Sequence, residues 1–272
     1  ATTEIYTLSL HGRSSDLLSL SVGGDASVAG TTAITAGDGD NAEAYLKISG
    51  DAALTGAVTL NAGDGSDSHA RLKVGGDVTG GDVTLNDGAG TGKSKVILIG
   101  TGDQAFGNNI VAGADGEGVL VNTNTGGVVT ISGDVGANNT SIYAVSLDSG
   151  SQTSFAGDVY ADNITGAGSI NLETGAGTIE VAEDLGTSSQ AVAISVDTGV
   201  TATIQTQDSD GSDGGTIYSD ITLDGAGSGI TIGDGTEEIH FTGDIIAGTA
   251  DQGLVTIEAD GSTDTIVTGN IG

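Results

Sequence analysis

Val22-Gly23-Gly24-Asp25-Ala26 returns as Ile48-Ser49-Gly50-Asp51-Ala52 and as Val74-Gly75-Gly76-Asp77-Val78. Related phrases follow at Phe155-Ala156-Gly157-Asp158-Val159, Phe241-Thr242-Gly243-Asp244-Ile245 and Val267-Thr268-Gly269-Asn270-Ile271. Marking the acid (or its Asn) in each copy gives positions 25, 51, 77, 103, 134, 158, 184, 220, 244 and 270, and five of the nine steps are 26 residues. A step that keeps returning to one value is the signature of a repeated structural unit. Three residues before each mark and one residue after it, every position is apolar save Gly100 and Gln104, both at the Asp103 copy.

The phrase has period 2, so its apolar positions share one face of an extended strand. Glycine precedes the mark in eight of ten copies. An inward glycine suits a sharp bend where a Cβ would crowd the interior. Leu8, Ile34, Leu60 and Leu85, each ahead of a Gly- and Asp-rich turn, form a second column. Glycine fills 49 of 272 positions and no long stretch carries apolar residues at helical spacing.

A unit of this size that cannot bury its own apolar face must stack on its neighbours. The expected fold is therefore all-β: a right-handed parallel β-helix, or β-solenoid, of about ten turns of roughly 26 residues without evident caps. The chain reads as a single solenoid domain over residues 1–272, with a loop excursion at 207–215. Tandem β-sandwiches are the alternative, and a constant step is hard to reconcile with them.

Composition narrows the function. There is no Cys, hence no disulfide framework and no thiol chemistry. Net charge is −31, which argues against nucleic acid and against an anionic membrane as partner. The charge is uneven: residues 1–95 hold all six cations (Arg13, Lys47, Arg71, Lys73, Lys93, Lys95) and 12 acids, whereas residues 96–272 hold 25 acids and no Lys or Arg. Either this is compositional drift, or it gives the rod a polarity that orients contacts between copies. The start at Ala1 without an initiator Met suggests a processed or excerpted chain, and no apolar run approaches the ~20 residues of a membrane span.

Calcium is the candidate ligand. Hard cations gather several carboxylate and carbonyl oxygens, and Asp38, Asp40, Asp64 and Asp67 fall in turns expected on adjacent rungs. Asp208, Asp210 and Asp213 put three carboxylates within six residues. Asp-Gly is also the ordinary chemistry of tight turns, and the marked aspartates can serve as Asx turns with no metal. Catalysis finds little support. His11, His69 and His240 form no metal-spaced pair, and a carbohydrate cleft would want aromatic platforms where there is no Trp and Tyr6, Tyr45, Tyr143, Tyr160 and Tyr218 are scattered.

The phrases ending at Ile245 and Ile271 resemble the repeats of large bacterial cell-surface β-solenoids, such as autotransporter passengers and rickettsial-type surface antigens, and the composition is similar to that of Gram-negative surface-layer proteins. The resemblance implies secretion and a non-enzymatic structural role in a surface layer or extracellular filament. It also implies calcium. The register that runs uncapped to both termini leads instead to the expectation of self-association through solenoid ends or sides, with cell-surface polysaccharide as a further candidate partner. An adhesin or passenger stalk is the alternative, and a polysaccharide-active β-helix enzyme a remoter one. No translocator barrel is legible in the sequence.

Overall fold

The computed structural model describes residues 3–5, 7–11, 17–206, 215–233, 239–250, 252–258 and 265–272. All the strand ladders among them are parallel, and no helix is present among them. Among the described residues the only antiparallel pairings are the isolated bridges Ala137–Thr140 and Thr187–Gln190. Parallel strands stacked in this way form a β-solenoid, and the β-sandwich alternative falls.

Three faces run along the coil, and the chain visits them in strict rotation. The first carries Ala26, Ala52, Val78, Phe106, Ile131, Phe155, Leu172, Val196 and Leu223 in one register column. The second carries Leu8, Thr32, Val58, Val83, Ile110, Val135, Val159, Ile179, Ile204 and Ile232. The third carries Leu20, Leu46, Leu72, Val96, Leu120, Val145, Ile164, Leu185, Ile217, Phe241 and Val267. Strand Val159–Gly166 turns a corner, pairing at its start on the second face and later on the third. Strand Thr216–Leu223 turns from the third face to the first.

The columns meet in a continuous apolar core. Phe106, Phe155 and Phe241 are its largest side chains, each 0% exposed. Alternation places every second residue inside, as in Glu43–Ile48, where Ala44, Leu46 and Ile48 are buried. Because each strand is covered on both edges by its neighbours, the core grows along the axis without widening.

Two details of the expected register differ. Leu10, not Leu8, stacks on Ile34, and Leu8 stacks on Thr32. The marked aspartates also do not all share one corner. Asp25, Asp51, Asp77, Asp220 and Asp244 precede residues of the first face, Asp134 and Asp158 precede the second, and Asp184 precedes the third. The 36-residue step from Asp184 to Asp220 is thus a long turn of 32 residues, Asp184 to Thr216, plus passage to the next corner. The loop expected at 207–215 falls in that turn, and its residues 207–214 lie outside the described residues.

At the Asp103 copy the register slips by two residues. Val78 pairs with Phe106, and Ala105 rather than Asp103 donates its N–H to Asp77 Oδ1, at 2.7 Å. Gln104 turns inward and its Nε2 donates to the carbonyls of Gly76 (2.6 Å) and Val74 (3.1 Å). Backbone oxygens thereby satisfy the Nε2 of this buried amide, while its buried Oε1 has no hydrogen-bond partner among the described residues.

Candidate functional site

The repeated Gly-Asp pair is a structural device that reaches from one rung to the next. Asp25 Oδ1 accepts the N–H of Asp51 at 3.1 Å, and Asp51 Oδ1 accepts the N–H of Asp77 at 3.0 Å. A second run passes from Asp82 to Asn109 (3.2 Å), Asn109 to Asp134 (2.8 Å), Asp134 to Asp158 (2.9 Å) and Asp158 to Thr178 (2.8 Å). A third joins Asp220 to Asp244 (3.0 Å) and Asp244 to Asn270 (2.8 Å). At each bend the backbone leaves the strand ladder, so its N–H needs another acceptor. The aspartate of the preceding rung supplies it. This is not the local Asx turn that the sequence suggests; the partner is a turn away.

Glycine makes room for that reach. A Cβ on Gly50 would sit 2.2 Å from Asp25 Oδ1 and 2.9 Å from Asp25 N, and one on Gly76 would sit 2.3 Å from Asp51 Oδ1. The obstacle is therefore the carboxylate of the preceding rung together with its backbone, rather than crowding by the coil interior.

Among the expected calcium ligands, Asp38, Asp40, Asp64 and Asp67 do lie in stacked turns, at exposed positions. Their oxygens are engaged with the adjacent turn. Asp38 Oδ1 accepts from the N–H of Asp64 (3.4 Å), Asp40 Oδ1 from that of Ser66 (3.0 Å) and Asp64 Oδ1 from that of Ala89 (2.9 Å). The Thr91 hydroxyl contacts Asp67 Oδ1 at 3.4 Å and accepts the N–H of Asp67 at 3.1 Å. Among the described residues no three acidic or His side chains converge as a metal-holding group. Asp208, Asp210 and Asp213 lie outside the described residues.

A second acidic locus escaped sequence reasoning because its members are far apart in the chain. Ser141 Oγ lies 2.9 Å from Asp115 Oδ1 and also hydrogen-bonds Asp162 Oδ1. Burial raises the Asp162 pKa above the usual carboxylate value, and Asp115 and Glu183 push it the same way against the Ser141 hydrogen bond and Lys93.

The outer surface of the first face is a shallow groove. One stretch of about 440 Å³ is lined by Gln152, Ser154, Asn171, Ser195, Asp197 and Asp224 among others, and a second of about 520 Å³ shares Ser154 and Asn171 with it. Its floor is made of short polar side chains because outward positions on neighbouring rungs stack in register. The histidines remain apart: His11 contacts Ser9 Oγ, and His69 Nδ1 accepts the N–H of Lys93 at 3.0 Å. No helix among the described residues is long and apolar enough to cross a membrane.

Set against protein-family models, curated proteins and solved structures, the chain matches none.

Proposed function

We propose that this chain is a non-enzymatic structural protein of the bacterial cell surface, secreted, and assembled into a layer or filament through contacts between solenoids. The observation that carries the reading is the regular outer surface: rung stacks on rung in register along three faces, so outward positions repeat along the coil at the strand spacing of about 4.8 Å, a lattice that a second solenoid can match side to side. We take the coil as right-handed, the hand of nearly all parallel crossover connections. It has about ten turns, on the eleven members of the Leu20–Val267 column.

Calcium enters as a proposed assembly ligand between copies, since the carboxylates of Asp38, Asp40, Asp64 and Asp67 are exposed and engage the adjacent turn through Oδ1, the first three with a backbone N–H and Asp67 with the Thr91 hydroxyl. The groove of the first face favours a second reading, an adhesin stalk whose partner is a cell-surface polysaccharide. Electron microscopy of the purified chain with calcium and with a chelator tests both. Filaments or sheets support the structural reading, and their loss on chelation supports calcium. Isolated rods at high concentration in both conditions overturn it in favour of the stalk.

A further inference from the structure

Five of the six cations of the chain lie together. Tyr45, Arg71 and Lys95 stack in one outward column of the third face, and Lys47 and Lys73 stack in the next. Lys93 flanks them, with His69 accepting its N–H. Two of these charges are answered: Glu43 meets Arg71 at 2.8 Å and Asp87 meets Lys93 at 2.9 Å. Lys47, Lys73 and Lys95 make no ion pair among the described residues, and the Lys73 ammonium rests 5.3 Å from the centre of the Tyr45 ring. Like charges directly opposite on adjacent strands destabilise a sheet. Burial and the Arg71 charge accordingly lower the Lys95 pKa. A chain with 37 acids and six bases could have spread its cations among acids. It stacks them on three successive rungs.

The opposite surface also exists on this chain. Asp197, Asp220, Asp224 and Asp244 occupy or adjoin three successive rungs of the first face, and the first three line the groove of about 440 Å³. No Lys or Arg occurs in residues 96–272. Both sets repeat at the strand spacing of about 4.8 Å, so the rungs of one rod can align with the rungs of another.

We propose that the cationic patch at Lys47, Lys73 and Lys95 docks into the acidic groove at Asp197 and Asp224 of a second copy. The inference deepens the self-assembly reading and rests on it. The two surfaces differ, so the contact is heterologous and propagates instead of closing as a two-fold dimer. It is an electrostatic contact between groups that are half-exposed or, at Asp224, exposed, so salt weakens it.

Sedimentation velocity on the full chain tests this, with circular dichroism checking that each variant folds. The Lys47→Glu/Lys73→Glu/Lys95→Glu variant and the Asp197→Lys/Asp224→Lys variant should each associate about tenfold or more weakly than the wild type, since like-charge juxtaposition is costly. Mixing them should restore pairing, because reversed patch then meets reversed groove. Wild-type-like association by both variants overturns the patch contact while leaving assembly standing. A wild type that stays monomeric overturns assembly and this contact together. In that case, retention on a sulfated polysaccharide column that is lost in the triple lysine variant assigns the patch to a polyanion instead.

Discussion

Asp51 both gives and receives: its N–H is capped by Asp25, and its carboxylate caps Asp77. Asp51→Ala leaves the Asp77 N–H to water at an exposed bend and should cost about 1 kcal/mol in urea denaturation. Asp51→Asn should fall close to the wild type, since Asn109 already holds this role at 2.8 Å. Gly50→Ala forces a Cβ against Asp25 and should destabilise by about 1–3 kcal/mol, the range for inserting an atom where none fits. Gly23→Ala, whose Cβ would meet nothing within 4 Å, should change stability by at most about 0.5 kcal/mol. Asp162 carries a pH signature. Its raised pKa means that the folded chain binds a proton more readily than the unfolded one. Ionised Asp162 therefore opposes folding at neutral pH, and the penalty disappears as pH falls through its folded pKa toward 3.8. Asp162→Asn should be more stable than the wild type at pH 7 in thermal melts, with the gap closing on acidification.

At the level of strands, the packing columns set the cost of change. Phe155 is 0% exposed and stacks between Ile131 and Leu172, so Phe155→Ala should cost about 3–5 kcal/mol by chemical denaturation. The columns were legible in the sequence wherever the repeat stayed in phase, from Val22 to Val78, because alternation alone puts those side chains inside. Beyond Asp103 the repeat misleads. The 26 residues from Asp158 to Asp184 combine a short turn, only 20 residues from Asp158 to Thr178, with a shift from the second face to the third. A step length reports chain consumed, not the corner reached. The inter-rung hydrogen bonds were hidden for a related reason: Asp-Gly reads as a turn in one dimension, and its acceptor role belongs to a neighbour about 26 residues away. The cationic patch follows from register as well, since Arg71 and Lys95 become neighbours only when their strands are paired.

Across the whole molecule, charge and architecture pull against each other. Exposed carboxylates repeat along a rod of net charge −31, and each rung adds to the repulsion along the axis. Raising monovalent salt should therefore raise the melting temperature of the isolated chain, read by circular dichroism, even while it weakens contacts between copies. The Gly-Asp ladder adds a consequence of another kind. Each rung is capped by a group on the rung before it, and the capping phrase is the same at Asp25, Asp51 and Asp77. Excising residues 51–76 would join Gly50 to Asp77, regenerate the phrase, and let Asp25 cap Asp77 directly. From Val22 to Val78 the fold is thus a telescoping ruler: that stretch should tolerate being cut or extended by whole turns, about 4.8 Å at a time, because each new seam restores the Gly-Asp cap.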